Sequence, residues 1–545
     1  MGHGMSVQKI AVIGWDAATF KMILPLLETG ALPNMQRLMT RGGWGILAST
    51  LHPLSPTAWT SFMTGTNPGK HGVFDFVGLG EDGRYRFTNG AGVKSDTLWR
   101  ILSDADHRVC VVNVPMTYPP EEVNGALIAG MDAPQQDRAF THPPALSAEL
   151  HARYGGYRSD IPARAVSLFS VKRFTARYVR DLCDLVDLRA RVTCDLLERY
   201  SPDFCTVVFT ALDRAQHALG HLMAGDVSPD STLGRLYCAC DDALGRILDK
   251  LDDDWIVMVM SDHGACAYHR VFELGTWLAT QGWLQLRPAP RFGVLEEHLG
   301  PVRRRLVRLF RGATERKPDK EGFLERIVWE NTRAFAVGAF GSVYVNTRDR
   351  FPRGIVTSDG EYRAICDQIT EQLLSVRDPE TGAQIVRAVH RASDQYRGPY
   401  VHLAPDLLIE TTDDYFVRNN LDHHEGRITY PAGRYRGRSL AHTGRHTADG
   451  ILVACGGPFG QGENLTGAHI MDVAPTVLHL SGLPVPADMD GKPLLGWLDP
   501  AYQQAHPVEW AAPRMSGSAE RDESAYSQEE AVAVEDRLRS LGYID

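Results

Sequence analysis

The stretch Trp255 to Gly264, Trp-Ile-Val-Met-Val-Met-Ser-Asp-His-Gly, constrains this chain more than any other. Its apolar run, Trp255–Met260, is too short for a self-sufficient helix and reads as a strand buried on both faces. Such strands belong to parallel sheets covered by helices. The run stops at Ser261, and an acid, an imidazole and a glycine follow at once. Open α/β sheets bind ligands beyond the carboxyl ends of their strands, so Asp262 and His263 are placed to offer an oxygen and a nitrogen to a divalent metal. An ordinary polar loop would look the same, and only partners elsewhere in the chain separate the two readings.

Similar apolar runs recur at Lys9–Gly14, Gly45–Ala48, Arg108–Val114, Ala126–Gly130 and Phe204–Thr210. Helical patterns separate many of them, notably Ala17–Leu27, Val166–Tyr200 and Ser231–Leu251. Alternation of this kind predicts an α/β fold with a mainly parallel sheet. Further strands are expected at Pro405–Glu410 and Gly450–Cys455, followed by a helix over Ile470–Leu480. Between them, roughly Pro288 to Tyr400, lies a stretch of different character. It carries the basic run Arg303–Arg311, a polar segment Thr314–Lys320, a strand-like Arg333–Asn346 and an amphipathic helix Glu361–Leu374. The basic run suits either an anionic substrate group or a solvated helix face. The expected organisation is a core from 1–287 and 401–500, an inserted cap over 288–400 and a tail over 501–545. The tail is polar from Pro507 to Glu529, with Arg537–Tyr543 able to dock.

Composition narrows the function classes. The chain has 545 residues, 43% hydrophobic and 23% charged, as in ordinary globular proteins. A net charge of -10 argues against a nucleic-acid polymer as partner, because such binding relies on basic surface. No segment approaches the roughly 20 apolar residues of a membrane span. The start, Met-Gly-His-Gly-Met-Ser, lacks an apolar signal region and resembles a myristoylation signal only weakly. The nine cysteines are odd in number and scattered through apolar runs, which predicts free thiols and a cytoplasmic compartment.

Other chemistry-bearing residues sit at comparable positions. Asp16 follows the first strand, where an acid commonly caps the next helix. Ser55 stands before Pro56 at the expected start of a helix, where free N–H groups and a positive dipole end favour a phosphoryl group. It is a nucleophile or an N-cap, and Thr57 is the competing hydroxyl. Asp213 and His217 are spaced i, i+4, on one helix face, able to share a metal or to serve as a cap and a surface His. His442 and His446 precede the strand Gly450–Cys455, and either could be a ligand. Carboxylates with imidazoles and no thiolate suit zinc, manganese or iron, in numbers sufficient for two divalent metal ions.

The motifs and their order resemble the alkaline phosphatase superfamily, within it the type I phosphodiesterase/nucleotide pyrophosphatase family. They are Ile13-Gly-Trp-Asp16, Ser55 to Gly65 with Asn67-Pro-Gly-Lys-His-Gly72, Asp213-Arg-Ala-Gln-His217, Ser261-Asp-His-Gly264, His446-Thr-Ala-Asp-Gly450 and Met471-Asp-Val-Ala-Pro-Thr-Val-Leu478. The resemblance implies a three-layer α/β sandwich with an inserted cap. It also implies two metals, usually Zn2+, clamping a small phosphorylated substrate attacked by a Ser or Thr. Asp16, Asp262 and His263 would hold one metal in contact with the nucleophile; Asp213, His217 and His446 would hold the other. Family spacing places the nucleophile nine residues before Thr64, at Ser55, and prefers His446 to His442. One departure is Phe76, where family pyrophosphatases carry a phosphate-contacting Asn.

The expected activity is phosphodiester hydrolysis through a covalent phospho-serine. The rivals are a phosphomonoesterase or phosphomutase on the same core, and a non-catalytic metal-binding module. A sulfatase is disfavoured, since Ser55-Pro-Thr-Ala-Trp lacks the pattern those enzymes modify.

Overall fold

A computed structural model of the chain describes residues 8–79, 85–134, 140–161, 171–287, 326–338, 340–419, 427–433, 443–460 and 462–514, with Tyr526, Glu530, Ala531, Ala533 and Val534. The basic run 303–311, the polar segment 314–320, the segment 537–543 and His442 lie outside the described residues. A nine-stranded mixed sheet forms the centre. From one edge its strands are Asn464–His469, Gly43–Ala48, Asp449–Cys455, Trp255–Met260, Lys9–Trp15, Phe204–Phe209, Val109–Val112, Gly125–Ile128 and Thr141–His142. Only Asp449–Cys455 and the short edge Thr141–His142 run against the others.

The layers follow from side-chain alternation in the central strand. Successive residues of a strand face opposite sides of the sheet. The Gly14 backbone abuts Trp59 of the helix Ser55–Thr64, while Trp15 meets Tyr237 of the helix Thr232–Leu248 edge-on, with ring centroids 6.4 Å apart. Helices therefore cover both faces, which is why Trp255–Met260 is apolar throughout and buried at every position. The long helix Val171–Tyr200 packs on Thr232–Leu248.

A second apolar cluster runs from Phe272 to Val417. It is built on an antiparallel sheet ordered Ala334–Ala336, Ser342–Val345, Leu407–Thr411, Val386–Arg391. The helix Asp359–Ser375 packs on this sheet and is capped by Ser358, whose hydroxyl accepts from the Glu361 N–H. Arg333–Asn346, strand-like in sequence, is instead a hairpin. Gly338 and Gly341, at φ +81 and +82, reverse the chain there.

Two helix boundaries also differ from the sequence pattern. The first helix begins at Phe20 and is capped by Thr19, which frees Asp16 from the capping role. The segment from Ile470 opens as a 3-10 turn before the helix Val473–Leu480.

Candidate metal centre

Strand order brings the motifs together. Trp255–Met260, Lys9–Trp15 and Phe204–Phe209 are parallel neighbours, so Asp262, Asp16 and Asp213 emerge side by side at one sheet edge. Asp449–Cys455 runs the other way, and its start opens on that same edge with His446 just before it. Ser55 arrives from the loop after Gly43–Ala48, also parallel to the centre.

Asp16, Asp262, His263 and Ser55 form one group. His263 Nε2 lies 3.1 Å from Asp262 Oδ2, 3.9 Å from Asp16 Oδ1 and 3.3 Å from Ser55 Oγ. His263 Nδ1 faces the Gly264 carbonyl at 3.1 Å, which assigns the proton to Nδ1 and the lone pair to Nε2. Ser55 is the first residue of its helix and makes no capping bond; the N-cap is Leu54. Its hydroxyl therefore donates to His263 and does not hold the helix end. Thr57 is buried, and its Oγ1 has no hydrogen-bond partner among the described residues.

Asp213, His217 and His446 form the second group. Asp213 and His217 share the helix Ala211–Leu219, with Thr210 as its N-cap, so Asp213 is not a capping residue. Asp213 Oδ1 is 3.2 Å from both His217 Nε2 and His446 Nε2, and the two nitrogens are 2.8 Å apart. The Pro53 carbonyl accepts from His446 Nδ1 at 2.7 Å, turning the Nε2 lone pair inward. The His263 and His446 rings stack at 3.6 Å and join the groups. Ligand atoms of Asp16, Asp262 and His263, and likewise of Asp213, His263 and His446, lie within 4.8 Å of one another.

Buried orphan atoms test whether cations fit. Both Asp16 carboxylate oxygens and Asp262 Oδ2 are buried without a hydrogen-bond partner among the described residues. Burial, then the charges of Asp262 and Asp213, hold Asp16 well above the usual carboxylate range. Burial and Asp213 push Asp262 up to about 7. Burial lowers His263 and His217, which leaves them as neutral imidazoles. Burial opposes charge on Asp213 too, but its contacts with His217 and His446 and the Arg214 guanidinium beside it keep it well below the ordinary range. Unpaired carboxylates facing imidazole lone pairs repel one another unless a cation stands between them, so these residues could hold divalent metal.

Several contributors were not legible in the sequence. Arg214 is buried and pairs with Asp213 at 2.8 Å and Asp160 at 2.7 Å, leaving Asp213 Oδ1 for the site. Ala17 sits at φ +61; its N–H donates to Asp262 Oδ1 and its carbonyl accepts from Gln216 at 2.9 Å. Phe340, from the hairpin of the second sheet, lies 5.0 Å from His446. A cleft of about 760 Å³ opens beside His446, lined by Phe340, Phe416, Arg387 and Arg445 among others.

The profile of a family described as type I phosphodiesterase / nucleotide pyrophosphatase matches residues 10–448. No curated protein matches the sequence. Among solved structures, phosphonoacetate hydrolase from Sinorhizobium meliloti 1021 aligns with a TM-score of 0.54 at 13% identity, covering 87% of this chain and 96% of that one. Wild-type alkaline phosphatase PafA aligns at 0.51 with 15% identity, covering 91% and 100%. Murine ectonucleotide pyrophosphatase / phosphodiesterase 5 aligns at 0.50 with 11% identity, covering 90% and 100%. At these identities the likeness is one of fold. No helix among the described residues is long and apolar enough to cross a membrane. Matched over most of its length, the chain belongs to the type I phosphodiesterase / nucleotide pyrophosphatase family, and is a phosphoryl-transfer hydrolase acting on phosphoric esters.

Proposed function

We propose that this protein hydrolyses a phosphodiester in two in-line displacements through a covalent phospho-Ser55. The observation that carries the reading is the pair of buried carboxylates, Asp16 and Asp262, three of whose four oxygens lack a hydrogen-bond partner among the described residues, converging with His263 on the Ser55 hydroxyl. Asp16, Asp262 and His263 would hold one divalent cation, and Asp213, His217 and His446 a second. Zinc is the first choice, with manganese or iron as alternatives. Such cations would acidify the Ser55 hydroxyl and a water and neutralise phosphoryl oxygens.

The protein's own residues do the positioning. The helix Ser55–Thr64 begins at the reacting hydroxyl, so its dipole favours an anionic phosphoryl group there. Ser55 Oγ, its proton lost to solvent, forms the new bond to phosphorus while the alkoxide leaves from the opposite side, and the phosphoryl group on Ser55 keeps its second ester. Water then cleaves phospho-Ser55, releasing the product and restoring the hydroxyl. The Pro53 and Gly264 carbonyls hold His446 and His263 in the required tautomers.

The reading extends to a small phosphorylated substrate, in keeping with the phosphonoacetate bound by one structural relative. We read the second apolar cluster as a cap beside the site. All nine cysteines are free, which supports a cytoplasmic assignment.

Phe76 favours a second reading, a phosphomonoesterase or phosphomutase. It packs in a small apolar cluster with Val77 and Met131, an apolar side chain where family pyrophosphatases carry Asn. Metal analysis, with bis-p-nitrophenyl phosphate and p-nitrophenyl phosphate as substrates, separates these readings. Acid-quenched protein should carry the retained phosphoryl ester on Ser55 after reaction with a diester, or phosphate after reaction with a monoester, and Ser55→Ala should lose both the adduct and turnover. Retained turnover in Ser55→Ala would overturn the nucleophile assignment and direct attention to Thr57.

A further inference from the structure

We propose that Phe340 sets leaving-group specificity by presenting the wall on which a flat, uncharged aryl group stacks. The inference rests on the phosphodiesterase reading above. Ser55 lies against Asp16, Asp262 and His263, so in-line departure sends the leaving oxygen towards the other group, where His446 borders the cleft.

Phe340 has an unusual backbone for its position. It sits at φ +60, a conformation that bulky residues adopt only when their surroundings enforce it. The hairpin uses glycine on either side, Gly338 and Gly341, yet keeps an aromatic residue at the third left-handed position. Strained backbone of this kind concentrates at functional sites.

Contacts on two sides fix the ring. It meets His446 at 5.0 Å with a 31° tilt and Phe416 edge-on at 5.2 Å, and Phe416 in turn stacks on Tyr268 at 5.0 Å. With His263 stacked on His446, a continuous row of rings leads from beside Ser55 into the cleft.

Charge in the cleft argues against a polyanionic leaving group. Arg387 is engaged by Glu410 at 3.2 Å and Asp413 at 2.7 Å, and Arg445 also approaches Asp413, at 3.5 Å. Asp414 and Asp449 add further carboxylates. A leaving group bearing its own negative charges would face these four acids, and among the described residues Lys21 is the lining Lys or Arg that no carboxylate engages.

The test compares binding of phenylphosphonate and methylphosphonate to the metal-loaded protein by calorimetry, alongside turnover of methyl p-nitrophenyl phosphate. The variants are Phe340→Gly, which suits the left-handed backbone, and Phe340→Leu, which keeps apolar bulk. Wild type should bind the phenyl compound more tightly, and both variants should lose about five-fold of that preference. Melting temperature and metal content serve as checks on folding. An unchanged preference in folded, metal-loaded variants would overturn the proposal. Equal weakening of both phosphonates with loss of metal would also overturn it, showing that Phe340 only supports His446. Failure of wild type to hydrolyse the ester or bind either phosphonate would instead refute the phosphodiesterase reading itself.

Discussion

Replacing Asp262 by Asn separates what this carboxylate does to stability from what it does for the site. Burial and the nearby Asp213 raise Asp262 to about 7, against about 3.9 in an unfolded chain. The folded state then keeps a proton that the unfolded chain releases, so metal-free stability falls as pH rises from about 4 to about 7. Above that range the whole difference applies, up to about 4 kcal/mol. Asn keeps the side-chain volume and the oxygen that accepts from the Ala17 N–H at 3.3 Å. Its amide would occupy the place of Oδ2, 3.1 Å from His263 Nε2, and share that lone pair with the Ser55 hydroxyl. At pH 8 the chelated variant should therefore melt above chelated wild type. With an unfolding entropy of roughly 2.1 cal/mol/K per residue over the whole chain, the gain is about 4 °C. At pH 5 the advantage should shrink to about 1–2 kcal/mol. The metal-loaded variant should nevertheless lose at least about 100-fold in kcat/KM, since a charged ligand is gone. Differential scanning calorimetry on chelated samples at both pH values, with an ester assay, checks all three outcomes. A variant that melts below wild type at pH 8, or a gap that fails to shrink at pH 5, would refute the reasoning.

Further predictions concern supporting residues. A Cβ on Gly14 would lie 2.5 Å from Trp59 Cη2, one turn along the helix from Ser55. Gly14→Ala should cost about 1–3 kcal/mol and lower kcat, with partial rescue by Trp59→Phe; wild-type turnover would exclude this close packing as a constraint. Arg214→Met leaves Asp213 and Asp160 buried without their cation and should cost about 3–5 kcal/mol along with bound metal. Calorimetry and metal stoichiometry report it, and an unchanged melting temperature would count against the pair. Burial lowers His71 to about 3, and its Nδ1 accepts from the Val73 N–H. The neutral ring is thus favoured in the fold, and stability should fall as pH drops below about 6.5, by about 2 kcal/mol at pH 5. Urea unfolding of His71→Asn should show a correspondingly shallower loss between pH 7 and 5; an identical slope would contradict it.

Much of the core was legible because buried parallel strands are written as short, nearly continuous apolar runs. Trp255–Met260 could be delimited to the residue for that reason. The second sheet was harder to read. Arg333–Asn346 is apolar enough for one strand, and its reversal depends on backbone conformations at Gly338, Phe340 and Gly341 that no periodicity reveals. The segment's different character could be seen in composition, but its pairing with Leu407–Thr411 is a long-range contact.

The site divides along the same line. Residue chemistry and spacing alone mark Asp16, Ser55 or Thr57, Asp213, His217, Asp262, His263 and His442 or His446 as candidates, because ligand atoms must come from acids and imidazoles near strand ends, and the family resemblance narrows the alternatives to Ser55 and His446. Their grouping depends on strand order, which places Lys9–Trp15 between Trp255–Met260 and Phe204–Phe209 and reverses Asp449–Cys455 so that His446 reaches the same edge. Capping was likewise undecided in one dimension. Asp16 and Ser55 both look like caps in sequence, and only the observed helix starts, with Thr19 and Leu54 as N-caps, release them for chemistry. Arg214, Gln216 and Phe340 act through partners distant in the chain, at Asp160, Ala17 and His446. Local pattern encodes which groups a chain can offer, whereas direction, distance and desolvation arise only when remote segments pack together.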